Sequence, residues 1–179
     1  MILQQAKIVI FYGTDTGNTQ EVAEKIAAYF LEIHIKIDIH NIIDADIHTF
    51  YQYDLLIFGI PTWDFGGIQE DWEELEDELS ELDLSQSKVA IYGLGDQFGY
   101  GDFFIDAVGW LYEKLLPTGA NFIGKWPTLG YEFDASRACI ENDQEFCGLA
   151  LDEDQQFDLS DIRIQQWISK ITNEFESIS

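Results

Sequence analysis

The sequence has little positive charge. Nine Lys and Arg residues stand against 34 Asp and Glu residues, which gives a formal net charge of −25. Nucleic acids and anionic membrane surfaces are bound mainly through basic side chains, so the composition argues against both as partners. It favours a partner with a basic docking face, because opposite charges steer the encounter of two proteins.

Long apolar runs and closely spaced cysteines are also lacking. No stretch approaches the ~18 apolar residues that a membrane-spanning helix needs, and the N-terminus, MILQQAKIVIFYG, has no features of a signal peptide. The only cysteines, Cys139 and Cys147, do not have the spacing of a metal or iron–sulfur site, and we expect free thiols. The chain is therefore expected to be cytoplasmic, without membrane insertion, and to form one domain over residues 1–179.

What is present is an alternation of apolar strands and amphipathic helices. The predicted strands are 7–13, 34–39, 53–60 (which Pro61 is expected to end), 88–94 and one that begins in 120–126. The predicted helices begin at Asn18, span 69–82, run from Phe104 to Pro117, and begin again near Ser160. Single helices between strands predict a parallel sheet with helices on both faces. The irregular stretch from 127 to about 156 indicates an insertion in the last strand.

Three loops follow the predicted strands, at 13–19, 61–68 and 94–102. Ligands of such sheets bind beyond the carboxyl ends of the strands, so these loops are the candidate site. The first loop, GTDTGNT, matches neither the P-loop nor the dinucleotide pattern and has no Lys or Arg. Its hydroxyls and the N–H groups of a helix N-terminus can still hold a phosphate that is bound and not transferred. The alternative is that Thr16 or Asn18 only caps the helix.

The second and third loops carry aromatic residues where a strand has ended. Trp63 and Phe65 lie in PTWDFGG, and Tyr100 lies in the glycine-rich GLGDQFGYGD between Asp96 and Asp102. Such rings are usually packed in the core. Two of them at neighbouring strand ends, beside a phosphate loop, could instead enclose a planar heterocycle whose phosphate lies on 14–19.

Together these motifs resemble those of the flavodoxins, specifically the long-chain class. TDTGNT (14–19) is similar to the phosphate loop of that family, PTWDFG (61–66) to the loop that places a Trp on one flavin face, and GDQFGY (95–100) to the loop that brings a Tyr to the other. The resemblance covers essentially the whole chain, including LALDED (149–154), and the long-chain class accounts for the extra stretch at roughly 124–145. One departure is Asn18, where long-chain members often carry Lys or another residue.

The resemblance implies a three-layer α/β flavodoxin-like fold, with a five-stranded parallel sheet, helices on both faces and an insertion in the last strand. It also implies a low-potential electron carrier with tightly bound FMN, which shuttles between semiquinone and hydroquinone and has no catalytic residue and no metal. Asp152 is expected to approach the ribityl chain, and Asp15 to point away from the phosphate. The implied FMN-binding residues are Thr14, Asp15, Thr16, Gly17, Asn18, Thr19, Pro61, Thr62, Trp63, Asp64, Phe65, Gly66, Leu94, Gly95, Asp96, Gln97, Tyr100, Asp102 and Asp152. The implied partners of this acidic monomer are redox proteins with basic docking faces, such as a ferredoxin–NADP reductase or photosystem I.

Three alternatives remain. An FMN-dependent quinone reductase on the same fold needs a substrate pocket over the flavin, which Trp63 and Tyr100 are expected to fill. A receiver-type signalling domain needs clustered acids after the first strand and a phosphoacceptor Asp after the third, where the chain has YGTDTG and PTWDFG. An interaction module without cofactor would be colourless when purified.

Two features of the sequence bear on the redox potential. Residues 37–87 contain 14 Asp and Glu and no Lys or Arg, a field that disfavours added negative charge on the flavin. The family turns the peptide between positions 64 and 65 toward the flavin when the semiquinone forms, and neither Asp64 nor Phe65 has the freedom of glycine. We expect Phe65→Gly to raise the maximal semiquinone in a reductive titration; an unchanged maximum would contradict this.

Overall fold

A parallel β-sheet forms the centre of the computed structural model, which describes residues 1–177. The strands are β1 (Ile8–Tyr12), β2 (Asp38–Asn41), β3 (Leu55–Trp63), β4 (Gly67–Ile68), β5 (Lys88–Leu94), β6 (Asn121–Phe122), β7 (Trp126–Pro127), β8 (Cys139–Ile140), β9 (Glu145–Phe146) and β10 (Leu149–Leu151). The main sheet has the order β10-β5-β3-β1-β2, and every neighbouring pair in it is parallel. The five-stranded parallel sheet predicted from the sequence is confirmed.

Helices cover both faces of this sheet. They are α1 (Asn18–Glu32), α2 (Glu70–Glu73), α3 (Glu76–Leu79), α4 (Asp106–Leu115) and α5 (Phe157–Ser177). Successive residues of a strand point to opposite faces, and in β5 the ring of Tyr92 packs against Trp167 of α5 while Gly93 faces Val108 of α4. No helix in residues 1–177 is long and apolar enough to cross a membrane.

The strand predicted at 34–39 begins four residues too early, because β2 spans Asp38–Asn41. His34 turns with a φ of 63° after α1, and the pairing with β1 begins only at Asp38, opposite Val9. The alternation that suggested a strand arises from Ile35 and Ile37, which are buried in the core although they are not in a strand.

Pro61 does not end the third strand, contrary to the expectation from the sequence. The N–H of Leu55 and the C=O of Gly59 point toward β1. Pro61 is two residues beyond Gly59, so its backbone nitrogen points to the same side of β3. The pairing of β1 with β3 ends at Gly59, so the missing N–H of Pro61 faces the side on which no β1 residue remains to be paired. The strand therefore continues to Trp63, and its pairing with β5 extends to Pro61 opposite Leu94.

The single helix predicted over 69–82 is also wrong, because the segment forms the two short helices α2 and α3. Residues 69–82 contain eight Asp and Glu and no Lys or Arg, so a continuous helix would place like charges three and four residues apart. The apolar positions behave as expected: Trp72 and Leu79 are fully buried, and Leu75 and Leu82 pack against the core.

Two other helix starts differ from the prediction. Ile105 has a φ of 47°, so α4 begins at Asp106 and not at Phe104, and the 3₁₀ turn Leu116–Thr118 contains Pro117. The last helix begins at Phe157, three residues before the predicted Ser160.

An insertion in the last strand is confirmed. Both β6 and β10 pair with β5, at Val89 and at Tyr92 respectively, and residues 123–148 lie between them in the chain. The inserted residues form a three-stranded antiparallel sheet in the order β7-β9-β8, so this stretch is not irregular throughout.

Both cysteines lie in this insertion and are free thiols. Cys139 is opposite Phe146 in the β8–β9 pair, so the side chains of these two residues share one face. Cys147 directly follows Phe146 and therefore points to the other face. Burial raises the pKa of Cys139 to about 11 and that of Cys147 to about 12.

The thiolate fraction at pH 8 should then be lower than that of a free cysteine by about 100-fold or more. We expect iodoacetamide to alkylate the native thiols slowly and the urea-unfolded thiols rapidly, as measured by mass spectrometry. Equal rates in both states would contradict this.

Candidate functional site

A cleft opens at the carboxyl ends of β1, β3, β5 and β10. This is the edge of the sheet where the sequence predicts a ligand site. The side chains and backbone that line it are those of Thr14, Thr16, Asn18, Thr19, Pro61, Thr62, Trp63, Asp64, Leu94, Gly95, Asp96, Tyr100, Phe103, Glu153 and Asp154.

The first loop forms a cradle at the N-terminus of α1. Gly17 precedes the helix with a φ of 94°, a conformation that favours glycine, and its N–H donates to Thr14 Oγ1 at 2.9 Å. The first helical bond runs from Glu21 N–H to Gly17 C=O, so the N–H groups of residues 18–20 have no acceptor within the helix. Free N–H groups and the positive end of the helix dipole attract an anion.

The hydroxyl of Thr19 is the most informative atom of this cradle. Thr19 lines the cleft and is 1% exposed, and its Oγ1 has no hydrogen-bond partner within residues 1–177. Buried hydroxyl groups in proteins are nearly always hydrogen-bonded. A phosphate oxygen in the cleft would supply the missing partner.

Aromatic side chains line the other end of the cleft. The indole Nε1 of Trp63 is buried and, within the described part of the chain, is also without a partner. Phe65 packs edge-on against Tyr100 and Phe103, with ring centroids 5.7 and 5.8 Å apart. A hydrogen bond to the Asp64 carboxylate raises the pKa of Tyr100 above its ordinary value. These rings join the second loop to the third.

The third loop is held by a buried carboxylate. Asp152 is fully buried and accepts from the backbone N–H of Gln97 at 3.0 Å and from its side-chain Nε2 at 2.8 Å. The same carboxylate accepts from the N–H groups of Asp154 and Gln155 at 3.1 and 2.9 Å. Gln97 Oε1 in turn accepts from Glu132 N–H at 2.6 Å, so the insertion is hydrogen-bonded to this loop.

The cleft is strongly acidic. Four carboxylates line it, those of Asp64, Asp96, Glu153 and Asp154, and no Lys or Arg of residues 1–177 does. Burial, with the nearby charges of Asp96 and Asp152, raises the pKa of Asp154. An anion bound here must therefore be held by hydroxyls, N–H groups and the helix dipole.

The raised aspartate pKa values predict a pH dependence of stability. Burial raises the pKa of Asp106 as it does that of Asp154, so the folded protein binds more protons than the unfolded chain just above the ordinary aspartate pKa. Stability should then increase as pH falls from 7 through this window. We expect a higher urea midpoint at pH 5 than at pH 7, and a smaller difference in Asp154→Asn. A lower midpoint at pH 5 would contradict this.

The structure brings twelve of the predicted site residues to the cleft. They are Thr14, Thr16, Asn18, Thr19, Pro61, Thr62, Trp63, Asp64, Leu94, Gly95, Asp96 and Tyr100. The predicted residues that do not line it, within the described chain, are Asp15, Gly17, Phe65, Gly66, Gln97, Asp102 and Asp152. Asp152 and Gln97 instead support the loops from behind, and Asp15 is directed toward Gln69.

Three lining residues were not predicted, namely Phe103, Glu153 and Asp154. The signal for the two acids was their place in LALDED directly after Asp152. Phe103 follows Tyr100 by three residues, and its N–H donates to the Tyr100 carbonyl at 2.9 Å in a tight turn.

Comparisons with known proteins identify the family of the chain. The sequence model of the flavodoxin family matches residues 10–167. The chain is 51% identical to flavodoxin 2 of Escherichia coli K12 over 166 residues, which cover 92% of this chain and 94% of that protein. It is 47% identical to the flavodoxin of Synechocystis over 165 residues, 92% of this chain and 95% of the relative.

A solved flavodoxin structure also matches the chain over nearly its whole length. The crystal structure of Fusobacterium nucleatum flavodoxin bound to flavin mononucleotide matches with a TM-score of 0.87 at 30% identity, over 96% of this chain and 99% of that one.

Proposed function

Because the chain belongs to the flavodoxin family, whose members are FMN-based electron carriers and not enzymes, we propose that this cleft is its FMN site. The phosphate would be held by Thr14, Thr16 and Thr19 together with the N–H groups at the start of α1. The ring would lie beside Trp63 and Tyr100. FMN supplies the one-electron chemistry, and the protein supplies binding, orientation and electrostatics.

The observation that carries this assignment is a pair of unpaired buried donors in one cleft. Thr19 Oγ1 lies at the N-terminus of α1, and Trp63, which carries the unpartnered Nε1, lines the same cleft as Tyr100 and Phe103. An unsatisfied buried polar group is costly, by about 1–3 kcal/mol. A ligand with an anionic end and a flat polar heterocycle fits the hydroxyl and N–H donors of one end and the rings of the other.

An anaerobic reductive titration followed by visible absorbance tests the proposal. We expect the purified protein to be yellow and to take up two electrons in two separate one-electron steps, the second at low potential. A single two-electron step, with turnover of NAD(P)H in the presence of a quinone, would support the quinone reductase. A colourless protein that fails to bind added FMN would contradict both.

The acids that line the cleft should lower the potential of the second step. A carboxylate ~12 Å from an added negative charge, at an effective dielectric of ~20, disfavours it by ~1.4 kcal/mol, or ~60 mV. We expect Glu153→Gln/Asp154→Asn to raise the second potential by roughly 60–120 mV before salt screening, measured by spectroelectrochemistry.

A control pair with the same change in charge is available. Glu81 and Asp83 precede β5 and lie at the edge of the sheet opposite the cleft. Glu81→Gln/Asp83→Asn should shift the potential by a much smaller amount. Equal shifts in the two pairs would mean that net charge, and not the local field of the cleft, sets the potential.

The partners we propose are redox proteins with basic docking faces, such as a ferredoxin–NADP reductase or photosystem I. The supporting observation is the acidic surface, since residues 37–87 carry 14 carboxylates and no Lys or Arg. We expect electron transfer between a monomeric, cytoplasmic protein and such a partner, with a rate that falls as ionic strength rises. A stopped-flow rate independent of salt from 20 to ~300 mM would contradict electrostatic docking.

A further inference from the structure

Gln69 is a buried amide that contacts the phosphate loop from behind. It is 1% exposed and lies directly before α2. Its Nε2 donates to Asp15 Oδ1 at 3.3 Å and to Asp71 Oδ2 at 2.7 Å. Asp15 is thus tied to a residue 54 positions away in the chain.

The orientation of this amide is determined by its neighbours. Two carboxylates lie on one side of it, and a flipped amide would place its carbonyl oxygen against both of them. In the observed orientation, Gln69 Oε1 is buried without a partner among residues 1–177. A Cβ at Gly13 would lie only 2.2 Å from that oxygen, so the amide packs closely against the base of the phosphate loop. The buried Oε1 without a partner is unfavourable. The two hydrogen bonds from Nε2 to Asp15 and Asp71 therefore have to compensate for this cost.

The charge of Asp15 is the reason that such a contact matters for binding. Asp15 lies between Thr14 and Thr16, both of which line the cleft, while Asp15 itself is exposed and does not line it. The loop has no Lys or Arg to offset a carboxylate. If this side chain turned inward, it would repel a bound phosphate dianion.

We propose that Gln69 is a positioning residue that holds the Asp15 carboxylate away from the phosphate. The inference rests on the proposed FMN site. Gln69 thereby allows a loop without basic residues to bind a phosphomonoester although it carries an acid in its middle. The effect is specific to the phosphate end of the ligand, because Gln69 contacts the first loop and does not line the cleft in the described chain.

The test compares the affinities of the flavin-free full-length chain for FMN and for riboflavin, which lacks the phosphate. We expect Gln69→Met, which keeps the length of the side chain and removes the amide, to weaken FMN by about 10-fold or more, equivalent to one hydrogen bond to a charged group. Riboflavin affinity should stay within about twofold. Asp15→Asn in the Gln69→Met background should restore most of the FMN affinity, because the carboxylate is gone.

Two controls keep the test independent of folding defects. Gln156→Met makes the same substitution outside the first loop: it removes an amide bond from Nε2 to the Gly130 carbonyl at 3.3 Å, and it should leave both affinities unchanged. Asp15→Asn alone should change FMN affinity by less than about twofold, since its charge already points away.

The outcomes separate the two proposals. Equal weakening of FMN and riboflavin by Gln69→Met, or no rescue by Asp15→Asn, would overturn the role of Gln69 and leave the FMN site intact. A large gain of FMN affinity in Asp15→Asn alone would also overturn it, because the carboxylate would then face the phosphate in the native protein. A wild-type chain that bound neither flavin would overturn the proposed site and this inference with it.

Discussion

Replacing Asp152 with alanine is expected to lower the free energy of unfolding by about 3–5 kcal/mol, because it leaves four hydrogen-bond donors without their acceptor. The carboxylate is fully buried and accepts four hydrogen bonds, from Gln97 N–H and Nε2 and from the N–H groups of Asp154 and Gln155. The same change should weaken FMN binding by about 10-fold or more, since the loops that carry Tyr100 and Asp154 lose their common support. Urea unfolding and flavin fluorescence titration measure the two effects.

Two variants control for this prediction. Asp152→Asn keeps one acceptor oxygen and should give an intermediate loss of stability. Asp102→Ala changes an exposed aspartate of the same loop and should cost within about 0.5 kcal/mol. An alanine variant as stable as the wild type would show that water replaces the carboxylate without cost and that Asp152 does not organise the site.

Adding a single methyl group at Gly59 should have the second largest effect, a destabilisation of about 2–4 kcal/mol. A Cβ at this position in β3 would lie 2.2 Å from both Cζ and the hydroxyl oxygen of Tyr92. Tyr92 is fully buried, and its hydroxyl donates to the carbonyl of Thr19 at 2.8 Å, in the first turn of α1 beside the cleft. Gly59→Ala must displace this ring, so FMN affinity should fall together with stability.

A double-mutant cycle isolates the contact. Tyr92→Leu alone should destabilise by creating a cavity and removing the bond to Thr19, by about 2–4 kcal/mol. In that background Gly59→Ala should cost at least ~1 kcal/mol less than in the wild type, because the methyl group then partly fills the space. Additive losses in urea unfolding would show that Gly59 is needed for the strand itself and not for Tyr92.

The cleft shows which kinds of site residue can be predicted from sequence. Thr19 and Tyr100 follow apolar strands and Trp63 ends one, and in a parallel sheet every such strand ends at the same edge. Their position therefore required only the strand pattern and the sheet topology. Glu153 and Asp154 were missed although they directly follow the predicted Asp152, because the hydrogen bond between Asp152 and Gln97 decides which of these consecutive acids faces the cleft.

The direction in which a side chain points was harder to predict than the position of its residue at the edge of the sheet. Asp152 and Asp154 are two residues apart, yet the first turns inward to Gln97 and the second lines the cleft. Which way each side chain points is decided by hydrogen-bond partners elsewhere in the chain, which no local pattern encodes. Pro61 also depends on distant structure: β3 accommodates a residue without an N–H at this position only because β1 ends beside it.

By itself, the sequence predicted the architecture, the three loops whose residues line the cleft, and the acidic character of the protein. These follow from periodicity, turn chemistry and composition, which are local or additive properties. Only the tertiary structure decided that Gln69 binds Asp15, that Asp152 joins the third loop to β10, and that the acidic segment 69–82 breaks into two helices. The first two outcomes depend on hydrogen bonds between residues more than 50 positions apart, which form only when the chain folds. The third depends on the summed repulsion of neighbouring carboxylates against the packing of the apolar residues between them.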